Sequence, residues 1–457
     1  MKMDPTGLDI ITRWTGGHMA GGNPALPVDS ICTDSRALKA ADLFLALRGE
    51  NFDGHRFIAD AARRGAVGAI VEEAPADLPP GFAIIRVGNT LDALQQISAG
   101  YRRQLPLQVV AITGSNGKTS TKDFTAAVLG EHFHVAKTEG NFNNHIGLPL
   151  TMLRARSSDQ IGVFELGMNH PGEIAPLAAL AAPDVAIITN IGVAHIEYMG
   201  SREAIAQEKG ALAEALQPGG LVILNADDDF SKSIAARTKA DAIFCGLGGG
   251  DVCATDLRQD FNGMKFRLCA DDRCVDAELP VPGVHMVRNA LLAVAAGRHF
   301  GLSIEECAEG LRKLRLTHGR LEQKIVGGIH ILDDTYNANP DSMSAALQTL
   351  AQMPAAGRRI AVLGRMAELG TESEPGHRSV GRAAAESGID FVIDVGAEPA
   401  FIADEAERCG VKNVLRAATV EDAIRALRDI ALPADIVLVK GSRSSRMERV
   451  VEGMRVP

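Results

Sequence analysis

The chain has 457 residues, of which 46% are hydrophobic and 23% are charged, and its formal net charge at pH 7 is −10. This length predicts about three domains, and the acidic balance argues against a nucleic-acid partner and favours small ligands. The sequence contains no apolar run of membrane-span length and no signal-peptide core. We therefore expect a cytoplasmic protein without membrane insertion, whose seven cysteines are reduced thiols.

The amino-terminal half of the chain predicts a small α/β module followed by a larger one. The first hundred residues mix short apolar runs with helix-like segments, and the basic, proline-containing "YRRQLPLQ" at 101–108 predicts a linker. Apolar runs then alternate with helix-like segments, which predicts a mostly parallel sheet with helices on both faces. The predicted strands of this sheet are residues 109–113, 162–166, 185–191 and 221–227.

The rest of the chain predicts a change of topology and then a second α/β domain. The glycine-rich stretch 242–281 predicts antiparallel strands, and a helix is predicted over 284–300. After a boundary near "LTHGRLE" at 316–322, the alternation resumes as a smaller, Rossmann-like domain. Its predicted strands are residues 329–334, 360–364, 391–396 and 435–441. The predicted fold class is thus α/β with three domains, at residues 1–105, 106–318 and 319–457.

A glycine-rich loop follows the first strand of the central domain, in "VVAITGSNGKTS" at 109–120. It is shorter than the common P-loop, because Gly114 stands only three residues before Gly117. Glycines let backbone N–H groups approach a phosphate, and the helix terminus and Lys118 add positive charge. Thr119 offers a hydroxyl to a Mg²⁺ ion. The loop predicts a nucleotide-phosphate site; the alternative is an ordinary strand–turn–helix corner.

Three further residues carry side chains suited to chemistry in this domain. Glu165 lies in an apolar strand, where a carboxylate is costly unless it is paired or on a metal. His195 follows a predicted strand end, and Lys209 lies in a helix-like segment. Together with Thr119, Glu165 and His195 are the ligand types of a magnesium site. The alternatives are a buried ion pair, a capping histidine and a solvated lysine.

Two polar stretches mark the strand ends of the carboxyl-terminal domain. "DDTYNANPDSM" at 333–343 predicts a turn into a helix that begins near Pro340, and its polar residues either cap that helix or bind a ligand. "VKGSRSSRMERVV" at 439–451 predicts an anion site at a helix start, or else a basic helix face.

With these motifs the sequence resembles the Mur ligases, the ATP-dependent amide-forming enzymes of peptidoglycan synthesis, nearly from end to end. The resemblance implies that the loop binds ATP through Gly114, Ser115, Asn116, Gly117, Lys118, Thr119 and Ser120. It implies that two Mg²⁺ ions are held by Thr119, Glu165, His195 and Lys209, with Lys209 as a carbamate. Lys118, Glu165, His195 and Lys209 would be the catalytic residues.

The resemblance also assigns ligand contacts along the chain. Asn289 in "HMVRNALLA" would contact adenine, Arg320 in "HGRLE" the phosphates and Asp334 the ribose. The motifs "TDSR" (33–36) and "LRGENFDGHRF" (47–57) would bind the UDP end of the substrate on the amino-terminal domain. The remaining implied substrate contacts are Ser35, Arg36, Asn143, Asn144, Asn337, Asn339 and Ser342, the last three for the dipeptide on the carboxyl-terminal domain.

The implied reaction joins D-alanyl-D-alanine to UDP-MurNAc-tripeptide through an acyl phosphate and yields the pentapeptide, ADP and phosphate, on a monomeric enzyme. One departure is Arg365 in "LGRMAELG" (363–370), where the family usually has Asp. Alternatives at this point are another ligase of the superfamily, such as folylpolyglutamate synthetase or the ligase that adds the third peptide residue, a P-loop kinase, and a nucleotide-dependent regulator. The motifs do not say whether the third peptide residue is meso-diaminopimelate or lysine.

Overall fold

The structure is a computed structural model that describes residues 2–49, 52–74, 79–396 and 399–455. The chain forms two compact units whose segments interleave along the sequence. The first unit comprises Met1–Ala111, Phe133–Met168 and Glu173–Asp184, and the second comprises Ile112–His132, Asn169–Gly172 and Val185–Pro457. The predicted boundaries of three domains stay a prediction, and the two units are described in turn.

The first unit contains a five-stranded sheet whose strands are parallel except for one edge strand. In spatial order the strands are His18–Ala20, Ala83–Arg86, Gly68–Val71, Asp42–Leu45 and Ser30–Cys32, and the first of these is antiparallel to its neighbour. The helices in this part are Leu8–Thr15, Ile58–Arg63 and Thr90–Arg102, with 3-10 turns at Ser35–Ala37 and Gly54–Phe57. Short strands pair as Thr6–Gly7 with Pro27–Val28 and as Arg48–Gly49 with Phe52–Asp53.

Two further strands and two helices complete the first unit. Val135–Lys137 runs parallel to Ile161–Glu165, and the helices are Gly147–Met152 and Ile174–Ala181. The strand Gln108–Thr113, which leads into the glycine loop, is divided between the units after Ala111. Its Val and Ile residues are fully buried, as expected for a strand of a covered parallel sheet.

The second unit begins its main run of strands with parallel pairing and ends it with antiparallel pairing. Successive neighbours are Val185–Ile188, Leu221–Asn225, Asp241–Leu247, Val252–Asp260, Gly263–Ala270 and Arg273–Leu279. The prediction of antiparallel strands over 242–281 is wrong for Asp241–Leu247, which is parallel to both its neighbours. It is confirmed for the three strands that follow, which pair with one another in antiparallel fashion. Gly248 and Gly250, at φ +75° and +118°, allow the short connection that keeps the next strand parallel.

The carboxyl-terminal part of the second unit is the predicted Rossmann-like sheet. Its six strands, in spatial order, are Glu322–Val326, Ile329–Asp334, Ile436–Lys440, Arg359–Gly364, Phe391–Val395 and Asn413–Ala417. The first pair is antiparallel and the rest are parallel. The buried Ile and Val side chains of these strands form the core beneath the helices Val420–Ile430 and Glu448–Met454.

Several helices of the second unit begin at a side-chain cap. Ser303 with Glu306, and Thr419 with Asp422, form capping boxes at two helix starts. The helices are Lys118–Leu129, Ile196–Met199, Arg202–Glu214, Ser231–Ala235, Val284–His299, Ile304–Arg312, Pro340–Gln352, Ser373–Glu386, Phe401–Arg408, Val420–Ile430 and Glu448–Met454, with 3-10 turns at Gly370–Glu372 and Arg443–Ser445. None of the helices in the described part of the chain is long and apolar enough to span a membrane.

Two of the cysteines are joined in a disulfide, which corrects the prediction that all are reduced. Cys269 and Cys274 lie directly opposite each other in the hairpin of the last two antiparallel strands of the run. That register places the two side chains within disulfide reach, which a spacing of five residues did not reveal. Cys32, Cys245, Cys253, Cys307 and Cys409 are free thiols.

Candidate active site

The glycine loop has the conformation that its sequence predicts. Gly114 has φ +149°, and a Cβ there would overlap the hydroxyl of Thr189. Gly117 has φ +81°, and a Cβ there would lie 2.5 Å from Oδ1 of Asn289. Both positions therefore require glycine, for backbone conformation and for space. The helix Lys118–Leu129 follows directly, so the first N–H groups of that helix face the loop.

The middle of the loop is held by the segment that follows the strand Val185–Ile188. The N–H of Asn116 donates to Oδ1 of Asn190 at 3.0 Å, and the side-chain amide of Asn190 donates back to the carbonyl of Asn116 at 3.0 Å. The hydroxyl of Thr189 donates to the same carbonyl, and the N–H of Gly192 donates to Oγ of Ser115 at 2.9 Å. The loop is therefore fixed in shape by its own protein contacts.

Lys118 and Thr119 place a cation and a hydroxyl at the start of the helix. Nζ of Lys118 donates to the carbonyl of Gly114 at 2.7 Å, so the ammonium lies over the loop. Thr119 is only 2% exposed, and its hydroxyl accepts a hydrogen bond from Nη2 of Arg320 at 2.9 Å. The structure thus brings Arg320, which was predicted to contact phosphate, to the glycine loop. We call residues 114–120 the phosphate loop, after the role predicted for them.

Lys209 is a buried lysine beside this loop rather than a solvated one. Its side chain is 1% exposed, on the helix Arg202–Glu214. Burial, and then the nearby charge of Lys118, hold the pKa of Lys209 well below its usual value. A lowered pKa favours the neutral amine, which is the form that reacts with CO₂.

His195 lies in the segment that follows the strand Val185–Ile188, and it contacts an acid in the loop that follows the strand Arg359–Gly364. It has φ +62° and precedes the helix Ile196–Met199. Its Nδ1 lies 2.6 Å from Oε2 of Glu368, although the two groups are not aligned as a hydrogen bond. Contact with His195 lowers the pKa of Glu368. Sequence reasoning missed Glu368, whose "AELG" context shows no sign of a partner so far away.

Among the described residues, no group of three or more His, Cys, Asp and Glu side chains forms a candidate metal site. The ligand set implied by the resemblance is of another kind, since it includes a hydroxyl and a lysine. Thr119, His195 and Lys209 all belong to the second unit, and Glu165 belongs to the first.

The first unit holds Glu165 in a buried, polar setting. Glu165 ends the strand Ile161–Glu165, is 2% exposed, and accepts a hydrogen bond from Nδ2 of Asn143 at 2.8 Å. Its own N–H donates to the hydroxyl of Thr138 at 2.9 Å. Oδ1 of Asn144 accepts from the backbone of the helix Gly147–Met152, with the N–H of Gly147 at 2.8 Å. Asn143 thus positions Glu165, whereas Asn144 shapes the loop.

The amino-terminal residues predicted to bind UDP form a locally built turn. Ser35 and Arg36 lie in the 3-10 turn Ser35–Ala37, whose cap is Asp34. The Asp34 carboxylate accepts from the N–H of Arg36 at 3.0 Å and pairs with its guanidinium at 2.9 Å, which lowers the pKa of Asp34. Of the second motif, residues 50 and 51 lie outside the described residues.

Asn289 and Asp334, predicted to contact the nucleoside, have different surroundings. Asn289 is buried on the helix Val284–His299, beneath Gly117. Asp334 ends a strand, and its Oδ2 accepts from Nζ of Lys440 at 2.6 Å. Lys440 also donates to the carbonyl of Asn337. Sequence reasoning noted the "VKGS" turn but missed Lys440 as the partner of Asp334.

The carboxyl-terminal segment 337–342 is bonded to the phosphate loop. Nδ2 of Asn339 donates to Oδ1 of Asn116 at 2.8 Å, and Oδ2 of Asp341 accepts from the N–H of Val193 at 3.0 Å. Asn339 and Ser342 form a capping box, with Pro340 first in the helix Pro340–Gln352 as predicted. Both side chains therefore cap the helix, and the roles in dipeptide binding implied for Asn337, Asn339 and Ser342 stay predictions.

Arg365, the departure from the family pattern, has an exposed side chain. Its backbone carbonyl accepts from the N–H of Ser442 at 3.0 Å and from the hydroxyl of Ser445 at 3.1 Å. The main chain at this position therefore packs against the "GSRSS" turn, while the guanidinium lies at the surface. The second half of that motif forms a 3-10 turn, Arg443–Ser445, before the last helix.

The fold and the site define an α/β protein with a glycine-rich loop at a helix start and a buried lysine near that loop. Arg320 and Asn339, from the carboxyl-terminal region, each donate a hydrogen bond to the loop. Family models match it in three stretches: "Mur ligase family, catalytic domain" at residues 27–102, "Mur ligase middle domain" at 112–297 and "Mur ligase, glutamate ligase domain" at 319–443. The chain belongs to the Mur ligase family.

Curated relatives and solved structures match over nearly the whole chain. The UDP-N-acetylmuramoyl-tripeptide--D-alanyl-D-alanine ligases of Bacillus subtilis and Escherichia coli are each 38% identical to it, covering 93% and 98%, respectively, of both chains. The crystal structure of MurF from Acinetobacter baumannii matches with a TM-score of 0.92 at 33% identity, over 100% of both chains. MurF ligase from Thermotoga maritima in complex with ADP matches with a TM-score of 0.84 at 30% identity, over 93% of this chain and 97% of that one.

Proposed function

We propose that this protein is the ATP-dependent ligase that joins D-alanyl-D-alanine to UDP-MurNAc-tripeptide, giving UDP-MurNAc-pentapeptide, ADP and phosphate. Relatives named for this ligase match it over nearly their whole length, and one solved relative was crystallised with ADP. The observation that carries the proposal is the bonding of the carboxyl-terminal region to the phosphate loop, through Arg320 on Thr119 and Asn339 on Asn116.

That bonding matters because a ligase must bring an amine to the place where a phosphate has just been transferred. Segment 337–342 carries the residues predicted for the dipeptide, and it lies within hydrogen-bond distance of the phosphate loop. Holding both reactants in one geometry removes much of the entropic barrier to the second step. A kinase has no such need for an amine-binding segment beside its nucleotide.

In the first step a carboxylate oxygen of the tripeptide bonds to the γ-phosphorus of ATP, and the bond from that phosphorus to the β-phosphate oxygen breaks. Two anions must meet, so positive charge at the loop lowers the barrier. Lys118, the start of the helix Lys118–Leu129 and Arg320 supply that charge. ADP leaves, and the tripeptide is held as an acyl phosphate.

In the second step the amine nitrogen of D-alanyl-D-alanine bonds to the acyl carbon, the bond from that carbon to the phosphate oxygen breaks, and the amine releases a proton. Water would destroy the acyl phosphate, so the site must exclude it. The buried side chains at the loop favour that exclusion, since Ser115, Thr119 and Ser120 are each at most 6% exposed.

The residues of the second unit fit the magnesium and the carbamate that the family implies. Addition of CO₂ to the neutral amine of Lys209 forms an N–C bond and releases a proton, which leaves an anionic carbamate. An anion at Lys209 would offset the charge of Lys118, which otherwise opposes a cation there. Thr119, His195 and carbamylated Lys209 would hold the metal, and the role of Glu165 as a ligand stays a prediction. Bound Mg²⁺ would neutralise phosphate charge.

The test is phosphate release by the purified full-length protein with ATP and Mg²⁺. UDP-MurNAc-tripeptide and D-alanyl-D-alanine are added separately and together. Two forms of the tripeptide are compared, one with meso-diaminopimelate and one with lysine as the third residue. We expect release only when both are present, together with a pentapeptide product by mass spectrometry. Release that depends on a single amino acid in place of the dipeptide would identify another ligase, and a phosphorylated product without an amide would identify a kinase. Either result would reject the proposal.

A further inference from the structure

The guanidinium of Arg320 is oriented mainly by an aromatic ring. Its Nη2 donates to Oγ1 of Thr119 at 2.9 Å, and its Cζ lies 4.2 Å from the centre of the Tyr336 ring. Nε of Arg320 is buried and has no hydrogen-bond partner among the described residues. One directional bond leaves a planar cation free to rotate about it, so the face of the ring sets the plane of the guanidinium.

The backbone on either side of Arg320 forms a constrained turn. Gly319 has φ +71° and Leu321 has φ +51°, and the Leu321 side chain is fully buried. A leucine in the left-handed region is rare and persists only where its surroundings fix it. Here the N–H of Leu321 donates to Oδ1 of Asp334 at 3.3 Å. The turn therefore projects the Arg320 side chain in one direction.

Tyr336 is tied to this same turn through its main chain. Its N–H donates to the carbonyl of Gly319 at 3.1 Å, so the ring and the arginine are carried by two directly bonded segments. The ring is partly buried and lies two residues beyond Asp334, at the end of the strand Ile329–Asp334. A displacement of one segment would therefore move the other.

A buried carboxylate anchors the turn to the helix that begins at the phosphate loop. Oδ2 of Asp123 accepts from the N–H and the hydroxyl of Thr317, at 2.9 and 2.7 Å. Asp123 is 2% exposed, and its other oxygen lies 3.0 Å from Nζ of Lys122. Hydrogen bonds to a buried carboxylate are strong. Residues 317–320 are thus attached to the same helix that carries Thr119.

We propose that Tyr336 is a positioning residue, which stacks on Arg320 and aims its guanidinium at the terminal phosphate of a bound nucleoside triphosphate. The inference rests on the proposed function, because it takes the loop as the ATP site. Tyr336 acts through Arg320 rather than by contact with substrate. The Asp123–Thr317 anchor sets the distance between Arg320 and the helix that carries Thr119. The aromatic face is the required feature, and the phenolic hydroxyl is not.

The test compares Tyr336→Leu, Tyr336→Phe and Arg320→Met in the full-length protein. The probe is a non-hydrolysable ATP analogue with Mg²⁺, titrated calorimetrically, and steady-state kinetics follow with ATP varied. We expect Tyr336→Leu to weaken analogue binding and raise KM for ATP by about tenfold, a magnitude typical of a desolvated cation–π contact. The KM for D-alanyl-D-alanine should change by less than about twofold, because that ligand does not meet Arg320.

Two comparisons separate positioning from a general structural role. Tyr336→Phe keeps the ring and should stay within about twofold of the unaltered protein. In the Arg320→Met background, Tyr336→Leu should have no further effect on analogue binding, since the group on which it acts is gone. Phe261→Leu, which removes an exposed ring whose centre lies 4.6 Å from that of His330, serves as the matched control and should leave analogue binding unchanged.

The proposal is overturned by any of three results. The first is a loss of affinity for the analogue in Tyr336→Phe as large as that in Tyr336→Leu. The second is a loss of affinity from Tyr336→Leu that persists in the Arg320→Met background. The third is an equal change in KM for all substrates. If Tyr336→Leu does not fold, Tyr336→Met gives the same comparison with an unbranched side chain. Phosphate release by the unaltered protein without a dipeptide would reject the proposed function but not the role of Tyr336. The binding of the ATP analogue to the single and double variants is measured without turnover, so it tests that role separately.

Discussion

The phosphate loop and the "TDSR" turn are both short segments predicted to bind the charged part of a ligand, but they are built in opposite ways. The loop around Asn116 is fixed by side chains more than seventy positions away, at Asn190, and by Asn339 still further along. The turn at residues 34–36 is fixed by its own neighbour, since Asp34 pairs with Arg36, whose side chain is 85% exposed.

This difference shows that the phosphate loop is ordered before its ligand binds, whereas the "TDSR" turn presents an exposed side chain. A loop whose carbonyls and N–H groups are already bonded does not have to be ordered when its ligand binds, so its cations act at full strength on the reacting phosphate. An exposed arginine in a local pair contributes little until a ligand replaces water around it. We therefore expect changes at the loop to affect catalysis and changes at the turn to affect binding alone.

The largest effect is expected from Lys118→Ala. It removes the ammonium that lies over the loop, 2.7 Å from the carbonyl of Gly114, and should lower kcat by roughly 10³-fold or more. Phosphate release measures the loss, and the melting temperature should change little because the loop keeps its other bonds. Lys313→Ala, at an exposed lysine paired with Glu131, is the matched control. Near-normal turnover in Lys118→Ala would contradict the assignment of the loop.

The next effect is expected from Lys209→Ala, which removes a buried amine beside the same loop. If Lys209 works as an anionic carbamate, the variant should lose about 10²-fold in kcat. Formate or acetate should partly restore activity by supplying the missing anion, whereas chloride at the same ionic strength should not. Exposed Lys232→Ala provides the comparison. Full activity in Lys209→Ala would mean that the buried lysine is structural.

A smaller effect, on stability, is expected when the pH is lowered, and it arises from His285 on the helix Val284–His299. Burial lowers the pKa of His285 to about 4, against the opposing influence of Asp334 and with that of Lys440. The unfolded chain takes up this proton near pH 6.5 and the folded chain does not, so stability is complete above pH 6.5 and falls as the pH drops toward 4.

We expect His285 to account for a decrease of about 1–3 kcal/mol in the free energy of unfolding as the pH falls. Urea unfolding at pH 7, 6, 5 and 4.5 measures it, and His285→Gln should have a flatter profile over this range. His145→Gln, at an exposed histidine of the first unit, controls for the substitution itself. Identical profiles for His285→Gln and the unaltered protein would show that His285 is not the group that titrates.

The smallest effect is expected from Arg36→Ala in the "TDSR" turn. The variant should raise KM for UDP-MurNAc-tripeptide by about two- to fivefold and leave kcat and the melting temperature unchanged, because the arginine is exposed and paired locally. Arg13→Ala, another exposed arginine of the first unit paired with a nearby acid, is the control. A fall in kcat as large as that of Lys118→Ala would remove the distinction between the two segments.

The sequence predicted those parts of the structure that depend on local patterns. Apolar runs predicted the parallel strands to within a few residues, and the glycines at 114 and 117 predicted the loop, because left-handed backbone and close approach need glycine. Pro340 correctly predicted the start of its helix, and the capping alternative accounts for the contacts of Asn339 and Ser342.

What could not be predicted depends on contacts between residues far apart in the chain. Nothing near Asp334 indicates Lys440, and nothing near His195 indicates Glu368, since each pair forms only when two strands bring their ends together. The stacking of Tyr336 on Arg320 was hidden for the same reason. The Cys269–Cys274 bridge and the parallel pairing of Asp241–Leu247 depend on strand register, which composition does not determine.

The interleaving of the two units has a consequence for how the chain folds during synthesis. All segments of the first unit have left the ribosome once residue 184 has emerged, so that unit can fold early. The helix Lys118–Leu129 is made before then but belongs to the second unit, and it packs against Val284–His299. Its contacts with Val284–His299 can form only after the intervening residues are translated, so the core of the second unit is completed later than that of the first.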